Sequence, residues 1–241
     1  MRSKQLDLTK YNTDKVKNRY LEIYDRIFEP LVDKEIALLE VGIYEGGSLL
    51  LWHDYFPKSK VIGIDIKAPS NVSLPQGVYF FKGSQADKAF LSSVIEKVAP
   101  EGLDIIIDDA SHIGELTKIT FWHLFDHHLK PGGIYVIEDW GTGYWDDFVD
   151  GKKYKVRQPI LSILWRRLLQ LNRGRKLIYK FPFKVPIKSH DYGMVGFVKD
   201  LIDELGAHDV TRVYSTKSQG RLSKFEYLLF FPTMVFVKKR Q

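Results

Sequence analysis

Five short apolar runs recur along the first 140 residues, each closing on or near a glycine or an acid, with helical segments between them. They are Ile36 to Gly42, Val61 to Ile66 with Asp65 at its end, Val78 to Phe81, Leu103 to Ile107 before Asp108-Asp109, and Ile134 to Ile137 before Glu138-Asp139. Runs that are apolar throughout, without alternation, suit strands buried on both faces. Val16, Tyr20, Ile23, Tyr24, Ile27 and Phe28 recur at helical spacing over residues 14–29, and Glu29-Pro30 ends that pattern. Further helices are expected at 48–52, 87–98, 115–129 and 195–205, with a Lys130-Pro131-Gly132-Gly133 turn before the fifth strand. Strand and helix alternating in this way predict a parallel sheet covered on both sides. Glu226 to Lys238, broken at Pro232-Thr233, suits a closing hairpin. The expected fold is α/β: a Rossmann-like, doubly wound, mostly parallel seven-stranded sheet with a C-terminal antiparallel hairpin. One domain over 1–241 is expected, with an N-terminal helical segment at 1–33 and an insertion at 151–190.

The charge is unevenly placed. The sequence has 36 Lys+Arg against 30 Asp+Glu, a net +6. Gly151 to His190 holds twelve basic residues and no acid, so 36 less 12 leaves 24 basic against 30 acidic in the other 201 residues. An acidic body therefore carries one basic segment, and that says something about one surface only. Cysteine is absent, which excludes disulfides, thiolate metal sites and cysteine nucleophiles. With no long apolar run and no leader-like start at Met1-Arg2-Ser3-Lys4, the expected location is the cytoplasm.

In open α/β sheets, ligands bind beyond the carboxyl ends of the strands. Here the first such end reads Glu40-Val41-Gly42-Ile43-Tyr44-Glu45-Gly46-Gly47-Ser48, and the next ends are Asp65, Gly83-Ser84-Gln85, Asp108-Asp109 and Glu138-Asp139. A dinucleotide cradle wants G-x-G-x-x-G. This loop is E-x-G-x-x-x-G-G-S, and its acids repel a pyrophosphate while suiting a cationic ligand. S-adenosylmethionine, with its sulfonium and ammonium, fits better, and Asp65 is placed to accept the ribose hydroxyls.

These residues, with the Lys130-Pro131-Gly132-Gly133 turn, resemble the class I S-adenosylmethionine-dependent methyltransferases. A narrower resemblance rests on Thr13-Asp14-Lys15, Gly47-Ser48-Leu49 with Trp52 and Tyr55-Phe56, Asp108-Asp109-Ala110-Ser111-His112 and Val136-Ile137-Glu138-Asp139. Gly193-Met194-Val195 with Lys199, and Phe230-Phe231-Pro232, add to it. Together they look like the mycinamicin-type macrolide and sugar O-methyltransferases and the related group often labelled cephalosporin hydroxylases. The resemblance implies that Glu40, Gly42, Gly46 and Ser48 line the methionine end of the cofactor, Asp65 the ribose, and Gly83, Ser84 and Gln85 the adenine. Tyr44 and Asp108 join the expected cofactor contacts. Thr13 and Lys15 either fold over the cofactor or serve as a helix cap and a solvated lysine.

Side chains alternate along a strand, so one acid from each of the two pairs can enter the same cleft. Carboxylates converging there suit a hard cation of the Mg²⁺ type, and Asp109, Glu138 and Asp139 are the expected ligands, Asp139 being preferred within its pair. His112, three residues after Asp109, is the expected general base. By the resemblance, the matching acids bind magnesium and the matching histidine is the base. His123, His127 and His128 read as structural or surface residues.

Trp140, Tyr144 and Trp145 either stack on a sugar ring or pack a long loop, and His190 is a further candidate substrate contact. The basic segment has an amphipathic core from Ile160 to Leu169, then Arg173, Arg175, Lys176, Lys180, Lys184 and Lys188 among Tyr179, Phe181 and Phe183. It suits an anionic acceptor such as a lipid- or nucleotide-linked sugar, a peripheral membrane contact, or an interface in a homo-oligomer. The expected activity is S-adenosylmethionine-dependent O-methylation of a sugar hydroxyl on a glycoside, glycolipid or surface polysaccharide. The alternatives are an RNA methyltransferase that uses the basic segment, or a non-catalytic S-adenosylmethionine-binding protein.

Overall fold

The computed structural model describes residues 1–70, 73–157, 189–207 and 221–241. Strands β1 (Ala37–Val41), β2 (Lys60–Asp65), β3 (Val78–Lys82), β4 (Leu103–Asp108), β5 (Leu129–Glu138), β6 (Phe225–Phe230) and β7 (Met234–Lys239) form one sheet. Its order is β3-β2-β1-β4-β5-β7-β6. The first five strands are parallel, and β7 pairs antiparallel with both β5 and β6. This is the doubly wound sheet with a terminal hairpin that the apolar runs predict. The helices are α1 (Asp14–Lys17), α2 (Leu21–Phe28), α3 (Gly47–Tyr55), α4 (Lys88–Val98), α5 (Gly114–His127), α6 (Val149–Arg157) and α7 (Gly193–Gly206). Of the basic insertion, the stretch 158–188 lies outside the described residues.

The pleat sorts the strand residues between two cores. Leu38, Val61, Ile105, Ile107, Ile134 and Val136 face α2 and α3, where they pack on Tyr24, Phe28, Trp52 and Phe56. Leu39, Ile62, Ile106, Tyr135 and Ile137 face α4, α5 and α7. That parity carries on to the strand ends. Glu40 follows Leu38, Asp109 follows Ile107, and Glu138 follows Val136, so all three acids belong to the α2/α3 side. Asp108 belongs to the other side, where its carboxylate accepts a hydrogen bond from the Tyr135 hydroxyl at 2.9 Å.

Two local departures from the sequence pattern have physical causes. The helix expected over 14–29 is two helices. Arg19 takes a left-handed φ of 61°, and the amide of Tyr20 reaches back to the Lys15 carbonyl at 3.0 Å, a Schellman-type stop. The fifth strand starts ahead of its expected turn. Gly132, at φ 71°, absorbs a register shift against β4, so the Lys130-Pro131-Gly132-Gly133 turn is a bulge within β5.

Two helices that flank the site share one cap. Asp150, in α6, is 3% exposed, and its Oδ2 accepts the amide of Gly114 at the start of α5 and that of Met194 at the start of α7, each at 2.7 Å. Both amides are among the unpaired donors of a helix start, and the helix dipoles favour an anion there. Gly193 (φ 58°) is required beside it, because a Cβ would lie 2.4 Å from Asp150 Oδ2. At about 1 kcal/mol per lost cap, Asp150→Ala should lower unfolding free energy by about 2 kcal/mol in urea titrations. Asp150→Asn, which keeps an acceptor, should lose less than half as much.

Candidate active site

A cleft of about 870 Å³ opens beyond the carboxyl ends of β1, β2 and β4. One wall is the turn between β1 and α3. Gly42 (φ 88°) runs so close to β4 that a Cβ would stand 2.2 Å from the Asp109 carbonyl oxygen, and Gly46 (φ 80°) starts α3. Asp65 ties this turn to the end of β2. Its Oδ2 accepts the amides of Ile43 (3.0 Å) and Tyr44 (3.1 Å), and its Oδ1 accepts that of Lys67 at 2.9 Å. Of the residues expected around the cofactor, Gly42, Tyr44, Ser48, Asp65, Gly83, Ser84 and Gln85 line this cleft. Glu40, Gly46 and Asp108 stand behind its wall. Asn12, Thr13 and Asp14 supply the facing side.

Behind that wall lies the feature the sequence hid. Lys15 is completely buried, and its Nζ lies 2.6 Å from Asp109 Oδ2, 2.9 Å from both Glu138 oxygens and 3.3 Å from Glu40 Oε1. Thr13 is the cap of α1, as one of its two readings had it. Lys15 is neither solvated nor laid over the cleft. Burial by itself would lower its pKa, but the three carboxylates outweigh burial and hold the ammonium well above its ordinary value. Burial pushes Glu138 up strongly, and Asp109 adds to this; burial also raises Asp109 and Glu40. The Tyr24 hydroxyl donates to Glu138 and the Tyr20 hydroxyl to Asp139. Ser48 Oγ donates to Glu40 Oε2 at 2.6 Å, while Glu40 Oε1 receives no hydrogen bond. The pleat carried the signal for this set. Glu40, Asp109 and Glu138 share one parity, and a buried acid cluster calls for a cation.

On the cleft side of this cluster, Asp109, His112 and Asp139 each offer a ligand atom within 4.8 Å of the others. His112 Nε2 is 3.8 Å from Asp109 Oδ1 and 4.0 Å from Asp139 Oδ2, beyond hydrogen-bond reach of either. Tyr44, His112 and Asp139 all adopt left-handed backbone, at φ 47°, 52° and 51°. Non-glycine residues rarely do so, and such strain gathers at functional sites. Asp139 follows the end of β5, and its turned backbone brings its carboxylate back toward His112 rather than along the strand. Two carboxylates with open cleft before them fit a hard divalent ion that keeps waters or takes ligand oxygens. Glu138 is not in this trio, because Lys15 and Tyr24 enclose its carboxylate.

Beyond Asp139, the Trp140 indole N–H donates to the Phe231 carbonyl at 2.9 Å, fastening the loop to the terminal hairpin. Tyr144 and Trp145 are half exposed, at 52% and 54%. His190 is buried, stacked on Tyr154 with ring centroids 3.6 Å apart, set edge-on to Tyr144 at 5.0 Å and bonded to the Gly143 carbonyl at 2.8 Å. It braces the loop from beneath. His123 and His128 share the Ser92 hydroxyl at 3.0 and 2.8 Å, with His127 beside them, toward the C-terminal end of α5 and away from the cleft.

No family model matches the chain. Over 132 residues, 52% of its length, it is 37% identical to mycinamicin VI 2''-O-methyltransferase of Micromonospora griseorubida and covers 32% of that protein. It is 38% identical over 132 residues to demethylmacrocin O-methyltransferase of Streptomyces fradiae, again covering 32%. The chain thus spans about a third of the length of the curated relatives it matches. Among solved structures, the MycE methyltransferase of the mycinamycin biosynthetic pathway, in complex with Mg and SAH, superposes with a TM-score of 0.62 at 27% identity, over 91% of this chain and 49% of that one. The likeness to mycinamicin-type O-methyltransferases holds in sequence and in structure, and the class I methyltransferase fold is the fold of this chain.

Burial pushes the Asp108 carboxyl up to about 7, against the favourable bonds from Tyr135 and the Ala110 amide. The unfolded chain would titrate it near 3.9. Its contribution to stability is therefore greatest at acid pH and falls as the pH rises through about 7, because ionisation is easier in the unfolded state. Asp108→Asn should make the decline in urea stability between pH 5 and pH 8 less steep than in the wild type. An unchanged slope would place the titrating group elsewhere.

Proposed function

We propose that the protein is an S-adenosylmethionine-dependent O-methyltransferase, divalent-metal-assisted, acting on a sugar hydroxyl of a glycoside. The observation that carries this reading is that one cleft has a glycine turn and Asp65 at one end and His112 between two carboxylates at the other. Curated relatives named for methylating macrolide and tetracenomycin sugars support the acceptor class. The cleft volume, the Cβ-free approach at Gly42 and the acidic surroundings fit a cationic nucleoside. When bound, S-adenosylmethionine supplies a methyl group activated by the sulfonium, and a divalent ion supplies Lewis acidity toward the acceptor oxygens.

The chain's own residues do the rest. Asp65 would accept the ribose hydroxyls, and Gly83, Ser84 and Gln85 would border the adenine. Asp109 and Asp139 would hold the ion, with Glu138 turned away unless Lys15 releases it. Methyl transfer is a displacement at carbon, so the protein must align the acceptor oxygen and remove its proton as it attacks. His112 lines the cleft, with Nε2 3.8 Å from Asp109 Oδ1 and 4.0 Å from Asp139 Oδ2, and an imidazole at that place suits a general base. Tyr144 and Trp145, exposed on the loop that follows Asp139, would offer ring faces to a sugar or a flat aglycone. The acidic mouth disfavours a polyanionic nucleic acid at the reacting centre. A segregated basic segment, 151–190, suits an acceptor that carries negative charge.

His112→Ala should leave S-adenosylhomocysteine affinity within about threefold while methyl transfer to a responsive glycoside falls by about 100-fold or more, the usual contribution of a general base. Calorimetry and transfer of labelled methyl would read the two quantities. Turnover that survives in the variant would sink the assignment of His112. Full activity after exhaustive chelation would remove the metal from the reading and leave the rest.

A further inference from the structure

We propose that Lys15 is a positioning residue that couples the two halves of the site: its ammonium fastens the Asn12–Asp14 wall of the cofactor cleft to the strand-end acids and weakens the hold of those acids on a divalent cation. The inference rests on the S-adenosylmethionine-dependent reading above and extends it to a residue outside the cleft.

Tyr11 anchors the near end of the wall, buried in the core with its hydroxyl donating to Asp54 at 2.7 Å, and Lys15 anchors the far end. α1 is a single turn, too short to be stable by itself. Asn12 lies directly on the first turn of α3, where a Cβ on Gly47 would come within 2.1 Å of its carbonyl oxygen. From that contact the chain runs along the cleft and into Lys15, whose Nζ reaches across the sheet to β1, β4 and β5 at once. Tyr20 and Tyr24 bond to Asp139 and Glu138 just beyond. Residues 12–24 are thus stitched, through Lys15 to Asp109 and through Tyr20 to Asp139, to the two acids that the cation would use.

Charge gives the second half. Glu40, Asp109, Glu138 and Asp139 converge, and Lys15 is the buried cation among the described residues that touches three of them. It occupies Asp109 Oδ2, which leaves Oδ1 directed at His112. A positive charge 2.6 Å from Asp109 Oδ2, the one carboxylate common to both clusters, opposes a second cation on that residue. Lys15 therefore restrains cation binding while supporting the cofactor wall. A purely structural buried lysine would support both or neither. Removing only the cation of a buried ion-pair cluster leaves its acids uncompensated and destabilises the fold, so a charge-balanced second variant accompanies the first.

The test uses S-adenosylhomocysteine and Mn²⁺ as probes on the whole chain at pH 8, read by calorimetry and by the spin resonance of free Mn²⁺. Lys15→Met, if folded by circular dichroism, should bind S-adenosylhomocysteine about tenfold or more weakly and Mn²⁺ about tenfold or more tightly. Parallel loss of both, or Mn²⁺ affinity that is unchanged or weaker, overturns the proposal. Should that variant not fold, Lys15→Met combined with Glu138→Gln restores the charge count. It should keep the weakened S-adenosylhomocysteine binding, with Mn²⁺ no tighter than in the wild type. Wild-type S-adenosylhomocysteine affinity in the double variant overturns the proposal as well. A wild-type chain that binds no S-adenosylhomocysteine would instead remove the methyltransferase reading itself, and with it the role given to Lys15.

Discussion

One buried ammonium holds the candidate site together. Lys15 joins the ends of three strands through Glu40, Asp109 and Glu138, and it has no solvent-exposed surface. Without an internal cation, acids of the same parity at the ends of adjacent strands would repel one another in a low-dielectric interior. With it, the acids keep fixed directions. Asp109 shows one oxygen to Lys15 and the other to His112, and the N-terminal segment becomes part of the cleft instead of a loose leader to β1.

The sheet was legible because its signals are local and redundant. Five apolar runs, each buried on both faces, leave few architectures open, and the observed order β3-β2-β1-β4-β5-β7-β6 is one of them. The cleft was legible for a related reason. Gly42, Asp65 and Gly83 sit at strand ends, and the parallel sheet brings such ends to one edge whatever the loops do. The parts that misled depend on contacts far apart in sequence. Lys15 lies 123 residues from Glu138, and an isolated lysine in a polar stretch gives no sign of burial. His190, a candidate substrate contact, lies stacked on Tyr154 and bonded to the Gly143 carbonyl, both far from it in sequence.

Glu138 and Asp139 show how finely parity matters. Neighbours in sequence, they differ in surroundings because β5 keeps its pleat through Glu138 and abandons it at Asp139. Glu138 drops onto Lys15 and Tyr24, while the left-handed turn at Asp139 sends the next carboxylate toward His112. Sequence alone offered both acids to the metal. The backbone dihedral at one residue divides them.

Tyr44, His112 and Asp139 share that left-handed backbone, at a cost against glycine of about 1–2 kcal/mol for Tyr44 and less for His112 and Asp139. Selection for heat resistance and selection for chemistry therefore pull these three positions in opposite directions. A library screened only for thermal survival would drift toward glycine at 44, 112 and 139, erasing the candidate site while relieving its backbone. Side chains that persist there under such pressure would mark the chemistry more sharply than any position in the core.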